Sequence, residues 1–197
     1  MRSDRILPSD WDQLVASEFP AKRPLEGRTN ATGPETPQVI GVRHVGLSAR
    51  DPAALAEFYR DVLGLQVVPV ETSALGATAF LSSRPANVPV DLALFANPAY
   101  QHTAFEVGSL LDLRAFHRRV TERGVPVKMA LNHGVSLSFY FDDPEGHLIE
   151  VYWPTGVVCR PCHGDPIDLT LPEEALRRDA VELAARAGAP SATGGRW

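Results

Sequence analysis

The sequence predicts an α+β fold in which two βαβββ modules form a cup-shaped, curved mixed sheet with helices on its outside. Three observations predict it. The order strand, helix, three strands is written twice in succession. Equivalent residues recur at nearly constant separation, with 58 residues from His44 to His102, 60 from Gly64 to Gly124 and 59 from Asp91 to Glu150. Apolar residues also alternate with period two in the strand segments and fall at helical spacing in the segment that follows the first strand of each copy. At 197 residues there is room for one packed domain plus terminal extensions. The reading is an N-terminal arm at 1–38, a domain at 39–155 made of modules 39–98 and 99–155, and a C-terminal loop and helix at 156–197.

In the arm, a short helix is expected near residues 9–16, capped by Ser9 or Asp10, before a stretch broken by Pro20, Pro24, Gly27, Gly33, Pro34 and Pro37. The first module opens with the alternating strand 39–47. Asp51 then caps a helix with Pro52 at its first position, and Leu55, Phe58, Tyr59 and Val62 are expected to face inward before Gly64 ends it. Strands follow at 66–70, 77–82 and 88–95. The second module repeats the order with a strand at 102–107 and a helix whose inward face carries Leu113, Phe116 and Val120, closed by Gly124. Its remaining strands are expected at 125–131, 136–142 and 147–153.

The last hairpin permits a register. Asp143-Pro144-Glu145-Gly146 suits a type I turn followed by a left-handed glycine bulge, which pairs residue 143 with 147 and sets Tyr140 opposite Glu150. Leu137, Phe139, Phe141, Ile149 and Val151 then share a helix-facing side, and Ser138, Tyr140, Leu148, Glu150 and Tyr152 point into the cup. In the C-terminal segment, Thr170 and Glu173 suit a capping box ahead of the apolar stripe Leu176, Ala180 and Leu183, which is expected to pack across the domain or on another subunit.

A formal charge of -5 without a basic cluster argues against nucleic acid or an anionic membrane as partner. Asp4, Asp10 and Asp12 interrupt the region where a secretory signal would be apolar, and no window approaches a membrane span, so the chain reads as cytoplasmic. The two cysteines, Cys159 and Cys162, precede His163 with the spacing of a c-type haem attachment site or half a zinc site. Haem attachment normally requires export, and zinc would need two more ligands nearby, so the pair reads as reduced thiols in a loop.

His44 and His102 occupy equivalent strand positions, and Glu150 is turned inward. Two imidazoles and a carboxylate form a facial metal site with open positions, the ligand type of non-haem Fe(II) oxygen chemistry. Taken singly, each histidine reads as a core or rim residue. The equivalence of their positions favours the metal.

At Arg43-His44-Val45-Gly46-Leu47, at the helix end Phe58-Tyr59-Arg60-Asp61-Val62-Leu63-Gly64-Leu65 and at His102-Thr103-Ala104-Phe105-Glu106-Val107, the chain resembles the vicinal oxygen chelate superfamily of glyoxalases, bleomycin resistance proteins and extradiol dioxygenases. Asn132-His133-Gly134-Val135, with Tyr140-Phe141-Asp142-Asp143-Pro144-Glu145-Gly146 and Ile149-Glu150-Val151-Tyr152, resembles the single-domain type I extradiol catechol dioxygenases more specifically. The resemblance covers about 39–154. It implies Fe(II) held by His44, His102 and Glu150, with Mn, Ni or Zn as alternatives, and as partners a small aromatic diol and O2. It gives His133 the role of acid and base, and Tyr140 that of hydrogen-bond donor to the bound substrate oxygen.

One departure stands out. Those dioxygenases carry a further histidine on the last strand of the first module, where this chain has Val90 or Asp91. Asp91 is also where the repeat would place a fourth ligand, as in glyoxalase-type isomerases or lyases, which are the competing enzymatic reading. A non-enzymatic drug-binding protein is the third. Arms of this kind often cross between subunits, so a homo-oligomer is also open. His117, on a helix, His147, beside the turn, and His163 are expected to be solvent or packing residues.

Overall fold

The computed structural model describes residues 37–68, 75–85, 90–157 and 164–188. The readings at 9–16, at Cys159, Cys162 and His163, and beyond 188 lie outside the described residues. The chain divides into two units, Met1–Thr36 and Pro37–Trp197, and every described residue belongs to the second.

Module one contributes β1 (Val39–Ser48), α1 (Pro52–Leu63), β2 (Gln66–Val68), β3 (Thr78–Ser82) and β4 (Leu92–Phe95). A 3-10 turn, Pro98–Tyr100, leads into module two, with β5 (His102–Val107), α2 (Leu110–Glu122), β6 (Val127–Asn132), β7 (Ser136–Asp142) and β8 (Leu148–Pro154). A short β9 (Asp165–Pro166) and α3 (Glu173–Gly188) follow. Both modules start their helix by the same chemistry. The Asp51 carboxylate accepts from Ala54 N at 3.0 Å, and Ser109 Oγ accepts from Asp112 N at 3.0 Å, each satisfying a donor that the first helical turn leaves open. Helix α1 stops at Gly64, whose φ of +72° lets its N–H turn back to the Arg60 carbonyl.

The strands form one curved, open sheet in the order β2-β3-β4-β1-β5-β8-β7-β6-β9. β1 pairs in parallel with β4 and β5 with β8, while the seam between modules is the antiparallel pair β1/β5. This is the expected mixed sheet of two βαβββ modules. The last hairpin takes the expected register: Asp143 N donates to the His147 carbonyl, Gly146 has φ +85°, and Tyr140 lies opposite Glu150.

Each module buries the helix-facing side of its strands. In module two, Leu110 and Leu113 of α2 pack with Leu137, Phe139, Val151 and Trp153 of β7 and β8, and Phe116, Val120, Phe141 and Ile149 border them. Leu176 and Ala180 of α3 join the same core, so the C-terminal helix packs across this domain. Leu113 has no solvent exposure. Leu113→Ala is therefore expected to lower unfolding free energy by about 2–5 kcal/mol, the usual cost of a lost buried leucine plus its cavity, as read from urea midpoints.

Two expectations fail locally. On α1 the inward residues are Leu55, Ala56 and Tyr59, whereas Phe58 and Val62 are 54% and 61% exposed. The small Ala56 sits against the sheet, which rotates the contact stripe away from Phe58 and Val62. Nor do Thr170 and Glu173 form a capping box. Thr170 Oγ1 donates to Asp168 Oδ1 at 2.6 Å, and Glu173 pairs with Arg177 one turn later.

Candidate metal centre

The sheet brings His44, His102 and Glu150 together on its inner side. One row crosses four strands, His44 (β1), Ala104 (β5), Glu150 (β8) and Tyr140 (β7), and the next row sets Gly46 beside His102. Ala104 is fully buried and short, so the polar side chains around it converge above its methyl group. A register irregularity between Val42 and His44 lets β1 realign its pairing with β5 at this level.

His44 Nε2 lies 2.9 Å from Glu150 Oε2 and 3.2 Å from His102 Nε2, and His102 Nε2 lies 3.4 Å from the same carboxylate oxygen. Metal–ligand bonds of about 2.1 Å meeting near right angles separate neighbouring donors by about 3.0 Å. The three edges of this triangle are thus close to those of one face of a metal's coordination shell, so these residues could hold a metal, and the donor types suit a divalent ion. His102 is already in the matching tautomer. Its Nδ1 is 2.7 Å from the Tyr100 carbonyl, which can only accept, so Nδ1 carries a proton and Nε2 is the atom turned to the centre, where it donates to Glu150 when protonated and can bind an ion when not. His44 Nε2 donates to Glu150, and an ion would take the place of that proton.

Glu150 is 2% exposed. Burial would raise its pKa, but the charge of His44 and hydrogen bonds from His102 and His44 hold it well below the usual carboxylate range. For His102, burial lowers the pKa, and the hydrogen bond and charge of Glu150 outweigh it, leaving the imidazole above its ordinary 6.5. The group is a carboxylate held ionised between imidazoles, which is also the protonation that metal binding needs at the glutamate.

Tyr140 is 8% exposed, and its hydroxyl donates to Glu150 Oε1 at 2.8 Å. His133 Nε2 lies 3.1 Å from the same hydroxyl and is the donor of that bond, because the tyrosine proton is committed to the carboxylate. One carboxylate oxygen therefore faces the imidazoles and the other is tied to Tyr140. His133 is positioned by the β6–β7 turn: its N–H donates to the Ser136 carbonyl, and the buried Asn132 side chain accepts from Gly134 N.

Asp91 stands apart from this centre. Its Oδ2 accepts from Ser83 N at 2.6 Å and Ser83 Oγ at 2.7 Å, and Ser82 Oγ lies 3.4 Å away, so it staples the β3–β4 connection. The pairing also moves the repeat by two residues. In module two Glu150 pairs with the residue two after His102, and in module one the residue two after His44, Gly46, pairs with Ala93. Ala93 takes the fourth-ligand position, and its methyl group cannot bind a metal. Around it Phe80, Phe95, Val90 and Tyr100 make the module-one side of the inner face apolar.

Sequence reading missed two neighbours, Glu106 and the Tyr100 carbonyl. Glu106 accepts from Tyr152 Oη at 3.1 Å and pairs with Arg43 Nε at 3.2 Å, and the Tyr152 ring lies against His44 with centroids 5.4 Å apart. Burial and the Glu106 charge push the Tyr152 phenol far up, so it stays protonated. Period-two alternation from His102 through Ala104 would have found Glu106. The Tyr100 carbonyl carries no side-chain signal at all. A cleft of about 410 Å³ opens beside His102, lined also by Gly46, Gln101, Lys128, Asp142 and Leu148. His117 packs edge-on to Phe139, and the outward His147 pairs with Asp143, as expected of a packing and a solvent histidine.

The family model described as Glyoxalase/Bleomycin resistance protein/Dioxygenase superfamily matches residues 41–151. The chain is 30% identical over 120 residues to Biphenyl-2,3-diol 1,2-dioxygenase 3 of Rhodococcus globerulus, a match covering 55% of this chain and 60% of that enzyme. It is 29% identical to the Metallothiol transferase FosB of Staphylococcus haemolyticus, covering 58% of this chain and 84% of the transferase. A solved catechol 2,3-dioxygenase superposes with a TM-score of 0.51 at 25% identity, covering 66% of this chain and 45% of that one. The chain thus spans less than two thirds of the length of the dioxygenases it matches.

Proposed function

Since the chain belongs to the Glyoxalase/Bleomycin resistance protein/Dioxygenase superfamily, we propose that it is an extradiol dioxygenase that binds a small aromatic diol and opens its ring with O2. His44, His102 and Glu150 hold Fe(II), and His133 and Tyr140 act on the substrate. The observation that carries this reading is the triangle of Nε2, Nε2 and Oε2 atoms backed by the Glu150–Tyr140–His133 hydrogen bonds. The 30% identity to a biphenyl-2,3-diol dioxygenase supports it.

An Fe(II) ion held by His44, His102 and Glu150 would supply Lewis acidity toward the diol and a route for electrons from diol to O2. The protein's own part is orientation and proton movement. Tyr140 holds Glu150 Oε1 at 2.8 Å before substrate enters, so Oε2 is the carboxylate oxygen turned to the two imidazoles. With its own proton moved to Nδ1, His133 would take the proton of a substrate hydroxyl at Nε2 and return it as the ring opens, a task suited to an imidazole near neutral pH. Tyr140, between carboxylate and imidazole, turns its hydroxyl toward the substrate oxygen when the diol enters. The apolar module-one wall, with the buried Phe95 ring beside His102, excludes water from that side.

A second reading is a metal-dependent isomerase, lyase or group-transfer enzyme, favoured by the match to 84% of a metallothiol transferase. Ala93 in place of a fourth ligand weighs against the four-ligand isomerase form. Anaerobic loading with Fe(II) followed by O2 uptake on catechol and 2,3-dihydroxybiphenyl separates the readings. The dioxygenase consumes one O2 per diol and forms a yellow ring-opened product. Metal bound at one per chain with no O2 uptake on any diol would favour the second reading, and failure to bind any divalent metal would leave a ligand-binding protein.

A further inference from the structure

We propose that Gly46 is a positioning residue for the metal site: by lacking a side chain it makes the slot that aims His102 Nε2 at the centre. The inference rests on the metal reading above. Glycine weakens a strand interior and there commonly marks a close approach. Gly46 keeps ordinary strand backbone, with no positive φ, so backbone freedom is not why it is needed. Space is. A Cβ built on Gly46 would lie 2.6 Å from His102 Nδ1, 2.7 Å from His102 Cε1 and 3.0 Å from Phe95 Cε2.

The ring cannot yield without loss. Gly46 and His102 are direct partners across the β1/β5 seam, Tyr100 holds Nδ1 at 2.7 Å, and the Phe95 ring lies 6.0 Å away centroid to centroid. A methyl group at 46 must either rotate the imidazole, breaking its bond to the Tyr100 carbonyl, or push β1 from β5. The second response moves His44, two residues earlier on the same strand. Both spoil a triangle whose edges are 2.9, 3.2 and 3.4 Å. Gly41 on the same strand has nothing within 4 Å of its would-be Cβ and provides the control.

The test compares wild type, Gly46→Ala, Gly41→Ala and His102→Ala as full chains loaded anaerobically with Co(II). Affinity is read by competition with a chromogenic chelator, and site geometry by the visible Co(II) absorption. Gly46→Ala should bind at least about tenfold more weakly, the size of effect typical when a ligand's orienting partner is lost, and its Co(II) spectrum should change. Gly41→Ala should stay within about twofold of wild type on the same scale, with an unchanged spectrum. If Gly46→Ala fails to fold, Phe95→Leu loosens the slot without adding atoms and should also alter the spectrum. Affinity and spectrum of Gly46→Ala matching those of Gly41→Ala would overturn the inference while leaving the metal site standing. Equal Co(II) binding by wild type and His102→Ala would overturn the site itself.

Discussion

Glu150→Ala, prepared and loaded anaerobically, should retain less than about a tenth of the Fe(II) held by wild type, and diol turnover should fall by about a thousandfold or more, since loss of a ligand exceeds loss of an orienting partner. Metal analysis after gel filtration and initial O2-uptake rates read the two effects. Full metal occupancy in this variant would refute the site. A second signature is independent of turnover. Against burial, Glu150 is the main group that raises the His102 pKa, so without it only the Tyr100 carbonyl opposes burial and the imidazole should titrate lower in an NMR pH series of the metal-free variant.

The same pair gives metal-free wild type a pH-dependent stability with opposite signs at its two ends. The depressed Glu150 contributes stability above its ordinary 4.5, lost as pH falls through its lower folded value. The raised His102 contributes stability below 6.5, lost as pH rises through its higher folded value. Between those ordinary values both contributions are present. Metal affinity runs the other way across the His102 range, strengthening as pH rises and the proton leaves Nε2. Chelator competition at several pH values checks this slope.

His133→Ala should cut turnover by about 10²–10⁴-fold, the usual contribution of a placed acid–base group, while leaving Fe(II) content at the wild-type level. The separation is expected because His133 reaches Tyr140 at 3.1 Å but is not one of the three converging donors. Turnover within a few-fold of wild type would remove His133 from the chemistry. Parallel loss of iron would make it a structural support of Tyr140 and Glu150.

Much of the inner face was legible in sequence because its cues are local. The Asp-Pro-Glu-Gly turn sets the β7/β8 register, and period two then decides that Tyr140 and Glu150 share a side. The repeat likewise matched His44 to His102. It failed at Asp91 for a definite reason: a slip of two residues leaves strand parity unchanged, so alternation cannot separate Asp91 from Ala93. Only the pairing of Gly46 with Ala93 does. On α1, periodicity marked an apolar face wider than the one the sheet covers, and Ala56 decided which part of it was buried.

The sequence by itself determined the fold class, the two modules and the residue types of the candidate centre, because secondary-structure period, helix caps and turn chemistry act over a few residues. Tertiary structure alone decided the triangle of donors and the closeness of Gly46 to His102. Those depend on distances between strands that lie about 50 to 100 residues apart along the chain, and they are set by sheet pairing and the seam between modules. No local pattern encodes them.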